Sequence, residues 1–278
     1  MKILITGANG QLGRACQTEF RGHTLFLADI DIFDLTKPRQ CARAIRSFSP
    51  AVIIHTAAYT DVKGAETHQS DCYAVNVAGT IMLARLASQW SATMVYISTD
   101  YVFDGRASKP YDENNAPRPI NVYGRSKYAG ELAVMDLVPN FFIVRTAWLY
   151  GEGNNFVRTI VSLAASRREL KIVGDQRGTP TSTVDLAHYI AVVLEKGQPG
   201  IYHATNDGTA TWAEFAQEIL RQSHKTNPVI PITTSEAAVL LNDPTPRPSY
   251  TVLSKQKLKK LTKVRPWQKA LAQYIATF

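Results

Sequence analysis

Lys2-Ile3-Leu4-Ile5-Thr6-Gly7-Ala8-Asn9-Gly10-Gln11-Leu12-Gly13 is the stretch that decides the fold. Its first residues read as a buried strand, and Gln11 to Phe20 reads as a helix. Between them three glycines fall at the spacing GxxGxxG. Gly7 permits a tight turn, Gly10 lets backbone approach a pyrophosphate, and Gly13 lets the helix pack on the strand. The free N–H groups of the helix start would meet the phosphates of a dinucleotide.

Working outward, Thr24-Leu25-Phe26-Leu27-Ala28 is the expected second strand, ending at Asp29 and Asp31. One of these two lies roughly 20 residues past the glycine turn, where a carboxylate accepts hydrogen bonds from the adenosine ribose. A carboxylate there repels a 2′-phosphate, so the pattern leans toward NAD; the sequence does not choose between Asp29 and Asp31. Asp34 and Leu35 either border the adenine, or Asp34 stabilises the turn before the helix at Pro38.

Further strands follow in alternation with helices. Ala51 to His55 is a strand, followed by an Ala57-Ala58-Tyr59-Thr60 loop and one long helical pattern to Trp90. A strand ending at Thr99, a helix from Val122 and a strand over Asn140–Thr146 come next. The fold class is α/β, a Rossmann-type doubly wound parallel sheet with a smaller C-terminal substrate-binding lobe. Residues 1–146 with 171–204 are assigned to the dinucleotide-binding part, and 147–170 with 205–278 to the lobe. Lys171-Ile172-Val173 and Gly200–His203 are read as short strands, and Asn227 to Tyr250, rich in proline, threonine and serine, as loops. The GxxGxxG variant points to the short-chain reductase style of this fold.

Tyr123-Gly124-Arg125-Ser126-Lys127 places a phenol and an ammonium at i, i+4, on one face of a helix. A free tyrosine has a pKa of about 10. A lysine held beside it is expected to bring that value toward working pH. Thr99, at the end of an apolar strand, offers a hydroxyl to a reacting oxygen beside the tyrosine. Together with the glycine turn, these groups read as hydride transfer between a nicotinamide and a carbonyl/alcohol pair, with NADH or NADPH as cofactor.

The 278 residues carry 45% apolar and 19% charged residues, the balance of a soluble globular chain. No apolar run reaches the ~18 residues of a membrane span, so no membrane association is expected. A strand beginning at Lys2 leaves no room for a signal peptide. Cys16, Cys41 and Cys72 form no CxxC and read as reduced thiols of a cytoplasmic protein. The net charge of +8 suits an anionic small ligand better than nucleic acid, because the basic residues are dispersed. The one basic run, Lys255-Gln256-Lys257-Leu258-Lys259-Lys260, reads as a solvated helix face.

Six segments carry a family resemblance: Gly7–Gly13, His55–Thr60, Ser98-Thr99-Asp100-Tyr101-Val102-Phe103-Asp104-Gly105, Tyr123–Glu131, Arg145-Thr146-Ala147-Trp148-Leu149-Tyr150-Gly151 and Asp175–Thr181. They closely resemble the dTDP-4-dehydrorhamnose reductases of the extended short-chain dehydrogenase/reductase superfamily, essentially end to end. The resemblance implies reduction of the 4-keto group of a dTDP-linked 4-keto-6-deoxysugar to dTDP-L-rhamnose by NADH or NADPH. It makes Tyr123 the proton donor, Lys127 its electrostatic partner and a ribose ligand, and Thr99 the hydroxyl that polarises the carbonyl. It assigns Gly10, Gln11 and Leu12 to the pyrophosphate turn, and Ala57, Ala58 and Tyr59 to the loop passing the cofactor. Asp100, Tyr101 and Trp148 match sugar-side positions. Arg247 pairs either with the nucleotide diphosphate or with a surface carboxylate.

There are departures. Lys63 stands where the family usually has aspartate. Ala15 stands where some relatives place an acidic ligand for magnesium at a dimer contact, so no metal is carried over; a homodimer is left open. Two alternatives remain on this reading: a 4-ketoreductase for another nucleotide-linked deoxysugar, and a non-catalytic NAD(P)-binding regulatory subunit on the same fold.

Overall fold

The structure, a computed structural model, describes residues 1–278. In chain order the strands are β1 (Lys2–Thr6), β2 (Thr24–Ala28), β3 (Val52–His55), β4 (Thr93–Thr99), β5 (Phe141–Thr146), β6 (Leu149–Tyr150), β7 (Leu170–Val173), β8 (Arg177–Gly178), β9 (Thr181–Ser182), β10 (Gly200–His203), β11 (Ala210–Thr211) and β12 (Val229–Ile232). The helices are α1 (Gln11–Glu19), α2 (Pro38–Phe48), α3 (Val62–Thr67), α4 (Gln69–Tyr73), α5 (Thr80–Gln89), α6 (Val122–Leu137), α7 (Phe156–Ser166), α8 (Thr183–Lys196), α9 (Trp212–Gln222), α10 (Thr234–Leu240), α11 (Gln256–Lys259) and α12 (Trp267–Ile275).

Six strands form one parallel sheet in the order β10-β5-β4-β3-β1-β2. Both faces are covered, which is why its strands read as continuous apolar runs rather than alternating ones. Ile3, Ile5, Val95, Ile97 and Val144 point to the side of α1 and α8, where Leu12, Cys16, Leu186 and Ile190 meet them. Leu4, Ile53, Met94, Tyr96 and Ile143 point to the other side, against Cys41, Ile45, Leu83, Ala84 and Val134. The chain turns from β1 to β2 on one side and then crosses back to β3 on the other. The loops after β1 and β3 therefore diverge, leaving a crevice at the carboxyl ends of the strands.

A third core, with Tyr150, Val157, Ile160, Phe215, Ile219, Trp267 and Leu271, holds the smaller lobe together. Three two-stranded pairings, β7 with β12, β8 with β11 and β6 with β9, lie outside the main sheet.

Four expectations need correction. The helical pattern up to Trp90 is not one helix: α3 and α4 are short, and a π-helical turn over Ala74–Gly79 precedes α5. The segment 227–250 is not all loop, because β12 and α10 lie in it. Lys171–Val173, expected with the dinucleotide-binding part, pairs with Val229–Ile232 instead, while Gly200–His203 extends the main sheet beside β5. The lysine run is pinned rather than freely solvated. Leu258 is buried in the core, Lys257 Nζ donates to the Ile201 carbonyl at 2.7 Å, and Lys259 pairs with Asp207 at 3.1 Å.

Candidate active site

A cleft of about 880 Å³ runs across the carboxyl ends of β1, β3, β4 and β5. Its floor at one end is the glycine turn. Gly7 adopts φ +64°, and a Cβ on it would lie 2.8 Å from the Ala57 backbone. A Cβ on Gly13 would come within 2.2 Å of the Gly7 carbonyl, so the helix packs this closely only without a side chain. Gly10, Gln11 and Leu12 also line the cleft, and no side chain caps the start of α1. Its first N–H groups are thus left for an anion. A glycine-rich turn and an uncapped helix start fit a dinucleotide pyrophosphate.

Asp29 lines the cleft beside this turn. Its carboxylate accepts from the Asn9 N–H at 2.7 Å and the Ile30 N–H at 2.8 Å, which fixes it at the end of β2. Asp31 does not line the cleft. The turn that brings the Ile32 and Phe33 N–H groups onto the Asp29 carbonyl sends Phe33 inward and leaves Asp31 exposed. Asp34 and Leu35 both line the cleft, and Asp34 also performs the duller task. Its Oδ1 accepts from the Thr36 hydroxyl at 2.7 Å and N–H at 2.9 Å, which with Lys37 holds its carboxyl below the usual range.

Ala57, Ala58 and Tyr59 form the opposite lip. Asn76 fixes that loop: its Oδ1 accepts from Tyr59 N–H at 2.8 Å, and its Nδ2 donates to the Tyr59 carbonyl at 3.1 Å and to Ser126 Oγ at 2.9 Å. Asn76 lies in the π-helical turn, and such turns recur at functional sites. Sequence reasoning missed it, because nothing in its spacing shows that a wide turn faces it into the loop.

Thr99 ends β4, while Tyr123 and Lys127 stand a turn apart on α6, which Asn121 caps through the Gly124 N–H at 2.7 Å. All three line the same cleft. The Lys127 side chain is buried, with its Nζ 4.1 Å from the centre of the Tyr96 ring. Burial pushes its pKa down to about 7, against the opposing charge of Glu131. Burial also pushes the Tyr123 phenol up, aided by Asp100, while the Thr99 hydroxyl acts in the lowering sense. The expectation that Lys127 draws the phenol toward neutral pH is therefore not what governs Tyr123: desolvation dominates, and the phenol holds its proton.

Beneath these groups lies a buried network that sequence reasoning also missed. Glu131, one turn past Lys127, accepts from Arg145 Nε at 2.8 Å and Nη2 at 2.7 Å and from Ser98 Oγ at 2.5 Å. Arg145 Nη1 faces His203 Nε2 at 3.4 Å, and His203 Nδ1 faces the Tyr111 carbonyl at 3.1 Å. Burial and Arg145 push the His203 pKa down to about 3, so the ring is neutral, with Nδ1 as its donor.

At the far end Trp148 lines the cleft, stacked on Trp212 with ring centroids 3.5 Å apart and planes at 7°. Trp148 has φ 47°, rare for a bulky side chain. Trp212 also lines a second cavity of about 280 Å³, between β7, α10 and the segment to Arg247. Tyr101 and Asp100 line the first cleft, but Arg247 lines only the second. Arg247 Nη1 donates to the Tyr101 hydroxyl at 3.2 Å, and Nη2 donates to Asp243 at 2.9 Å, so the carboxylate partner is the one observed. Lys63 is exposed, and its Nζ lies 3.4 Å from the Leu241 carbonyl at the end of α10. No three or more His, Cys, Asp or Glu side chains come together as metal ligands, and no helix is long and apolar enough to cross a membrane.

An uncapped helix start at the switch point of a parallel sheet, reaching to a phenol with a lysine one turn on, belongs to the extended short-chain dehydrogenases/reductases, which are nicotinamide-dependent oxidoreductases. Within that class the chain belongs to the family described as RmlD substrate binding domain, which matches residues 1–278. It is similar to a dTDP-4-dehydrorhamnose reductase of Clostridium acetobutylicum, with 42% identity, 100% of this chain and 99% of that one covered, and a TM-score of 0.95. It is equally close in shape to a dTDP-4-dehydrorhamnose reductase of Bacillus anthracis solved in complex with NADP, with 37% identity, 100% and 99% coverage and a TM-score of 0.95. A relative from Streptomyces niveus named dTDP-4-keto-6-deoxy-D-glucose reductase is 40% identical, over 97% of this chain and 95% of its own length.

Proposed function

We propose that the protein reduces the 4-keto group of dTDP-4-dehydrorhamnose to give dTDP-L-rhamnose, in the cytoplasm. The observation that carries this reading is that Thr99, Tyr123 and Lys127 converge with Trp148 in the cleft that begins at the glycine turn. NADH or NADPH, when bound, supplies the hydride to the keto carbon. Gly7, Gly10, Gln11, Leu12 and Gly13 would hold its pyrophosphate, Asp29 its adenosine ribose, and Ala57, Ala58 and Tyr59 its other flank.

Tyr123 gives its proton to the keto oxygen as negative charge develops there. A phenol that holds its proton through neutral pH is loaded for that step, and the developing alkoxide is basic enough to take it. Thr99 donates a hydrogen bond to the same oxygen. Lys127, whose Nζ hydrogen-bonds no protein group, is free to hold a ribose hydroxyl and adds positive charge beside the reacting oxygen.

Trp148 and Trp212 give the methyl end of a deoxysugar an apolar wall. The second cavity, reaching past Trp212 to Arg247, has the place and charge to take the nucleotide. Binding energy gained there positions the ketone without entering the chemistry.

A second reading has one observation behind it. The Streptomyces niveus relative, named for a different ketosugar, is similar to the same degree, so the exact sugar is decided by products. The test is to incubate the protein with a panel of dTDP-4-ketosugars and each reduced cofactor and to identify the product. dTDP-L-rhamnose is expected, and cofactor oxidation with none of the panel would remove the reading. Tyr123→Phe is expected to lose roughly 10²–10⁴-fold in kcat while binding NADH normally. Near-normal turnover by that variant would remove Tyr123 from the mechanism.

A further inference from the structure

Thr99 has one hydroxyl proton and several claims upon it. Its Oγ accepts from the Tyr101 N–H at 3.2 Å and donates to Asp100 Oδ1 at 3.1 Å. With the proton committed to Asp100, only a lone pair is left to face the cleft, and a lone pair cannot polarise a ketone. The reduction proposed above needs Thr99 as a donor.

Asp100 is placed to resolve this conflict. It is 2% exposed, and its Oδ2 has no hydrogen-bond partner. No lysine or arginine pairs with it: the ion pairs of this chain are elsewhere, and Arg247 reaches the turn only through the Tyr101 hydroxyl. A buried carboxylate with no cation paired to it is costly as an anion. As a neutral acid it can donate a proton on Oδ1 to Thr99 Oγ at the distance already present. The titratable groups facing it are Tyr123 from α6 and Tyr101 from its own turn, both of which it acts on as a negative charge. Thr251, from the C-terminal segment, and Thr99 are the hydroxyls acting on it.

We propose that Asp100 is a positioning residue that sets the direction of the Thr99 proton. When Asp100 is protonated it donates to Thr99, and Thr99 donates to the keto oxygen of the substrate. When Asp100 is ionised, Thr99 donates to Asp100 and can only accept from the cleft. No bond to Asp100 other than its own O–H takes part, and the proton that reaches the product still comes from Tyr123. The proposal rests on the keto-reduction reading and gives Asp100 a part distinct from direct contact with the sugar. Burial pushes this carboxyl up to about 6, against the lowering influence of Thr251, Thr99 and nearby backbone N–H groups. Cofactor and sugar remove more water, so the group stays protonated to higher pH in the ternary complex than in the enzyme awaiting substrate.

The experiment is kcat/KM and kcat for the 4-ketosugar against pH, from about pH 5 to about pH 9, for the wild type, Asp100→Asn and Thr99→Val. In the wild type, kcat/KM is expected to fall in two steps with rising pH, one near 6 from Asp100 and one near 7 from Lys127. The first step should lie higher in kcat. Asp100→Asn carries an amide that donates at every pH. It should lose the first step, keep the second, and lose less activity than the roughly 10²–10⁴-fold of removing the acid itself. Two steps persisting in Asp100→Asn would overturn the proposal. A pH-independent rise in KM at constant kcat would also overturn it, by making Asp100 a plain sugar contact.

Should Asp100→Asn not fold, Thr99→Val carries the test, since no hydroxyl is left to orient and the first step must vanish there too. A carbon-13 NMR titration of the NADH complex separates this proposal from the function. A carboxyl signal titrating near 6 and absent from Asp100→Asn is expected even if no ketosugar in the panel is reduced. If Asp100 titrates at the ordinary value of about 3.9, the proposal is wrong whatever the substrate.

Discussion

Trp148 holds its backbone at φ 47° with its indole flat on Trp212. A bulky residue in that region carries strain of about 1–3 kcal/mol, which persists only where packing over-determines it. Here Gly178 leaves the room: a Cβ on it would lie 2.6 Å from the Trp148 ring. Trp148→Ala is therefore expected to raise KM and lower kcat together, because a ketone without its wall is misplaced, while leaving NADH affinity almost unchanged. Calorimetry with dTDP-rhamnose and with NADH checks this; loss of NADH binding alone would place the indole in the cofactor site instead. Asp29 supports a second expectation at this scale. Asp29 lines the cleft, so kcat/KM should favour NADH over NADPH at matched ionic strength, and Asp29→Asn should narrow the difference. A clear NADPH preference in the wild type would mean that Asp29 does not meet the ribose.

Between β4, β5 and α6 the bond pattern is ionic as well as apolar. The Glu131–Arg145 pair has side chains that are 0% and 1% exposed. It ties the helix carrying Tyr123 and Lys127 to the strand next to the one ending in Thr99. Removing one member leaves the other charge buried and uncompensated, at a cost of about 3–5 kcal/mol. Glu131→Gln is thus expected to lower stability by that order in denaturant unfolding. The double variant Glu131→Leu with Arg145→Met should be less destabilised than either single change. Additive losses would mean that the pair is not coupled. The same helix shows how much was legible beforehand. The i, i+4 pair and its Asn121 start could be read locally, because helix periodicity and caps are local. Arg145 as the partner of Glu131 could not, since only the parallel pairing of β4 with β5 sets it beneath the helix.

Across the whole molecule, the buried histidines decide the acid behaviour. His55 lies between the Thr6 and Thr80 hydroxyls, and His203 lies beside Arg145; burial holds both near a pKa of about 3. Between that value and about 6.5, the unfolded chain binds protons on these rings and the folded chain does not. Stability therefore falls as pH drops through that window, by up to about 1.4 kcal/mol per pH unit for each ring. Asp100 opposes this over a narrower range. It keeps its proton in the fold up to about 6, so its contribution grows as pH falls through that value. Tm by calorimetry should decline between about pH 6.5 and about pH 4, and His203→Asn should decline less steeply. A flat wild-type profile would show that neither ring is held neutral.

The sequence by itself determined the sheet. Strands buried on both faces must be apolar, so β1 is found where its apolar run lies and β3 and β5 within a residue of theirs; the edge strands β2 and β10, only partly buried, also lie at the residues read for them. It determined the glycine turn too, since Gly7 and Gly13 sit where a side chain has no room, and it placed Thr99, Tyr123 and Lys127 on elements that converge. Tertiary structure alone decided the rest, because those outcomes depend on what is far away in the chain. Asp29 rather than Asp31 faces the cleft because of one turn at the end of β2. Asn76 reaches the Tyr59 loop through a π-helical turn whose pattern imitates an ordinary helix. Lys171–Val173 leaves the main sheet because β12 offers it a partner. Tyr123 keeps its proton because burial, which no local pattern reports, dominates its surroundings.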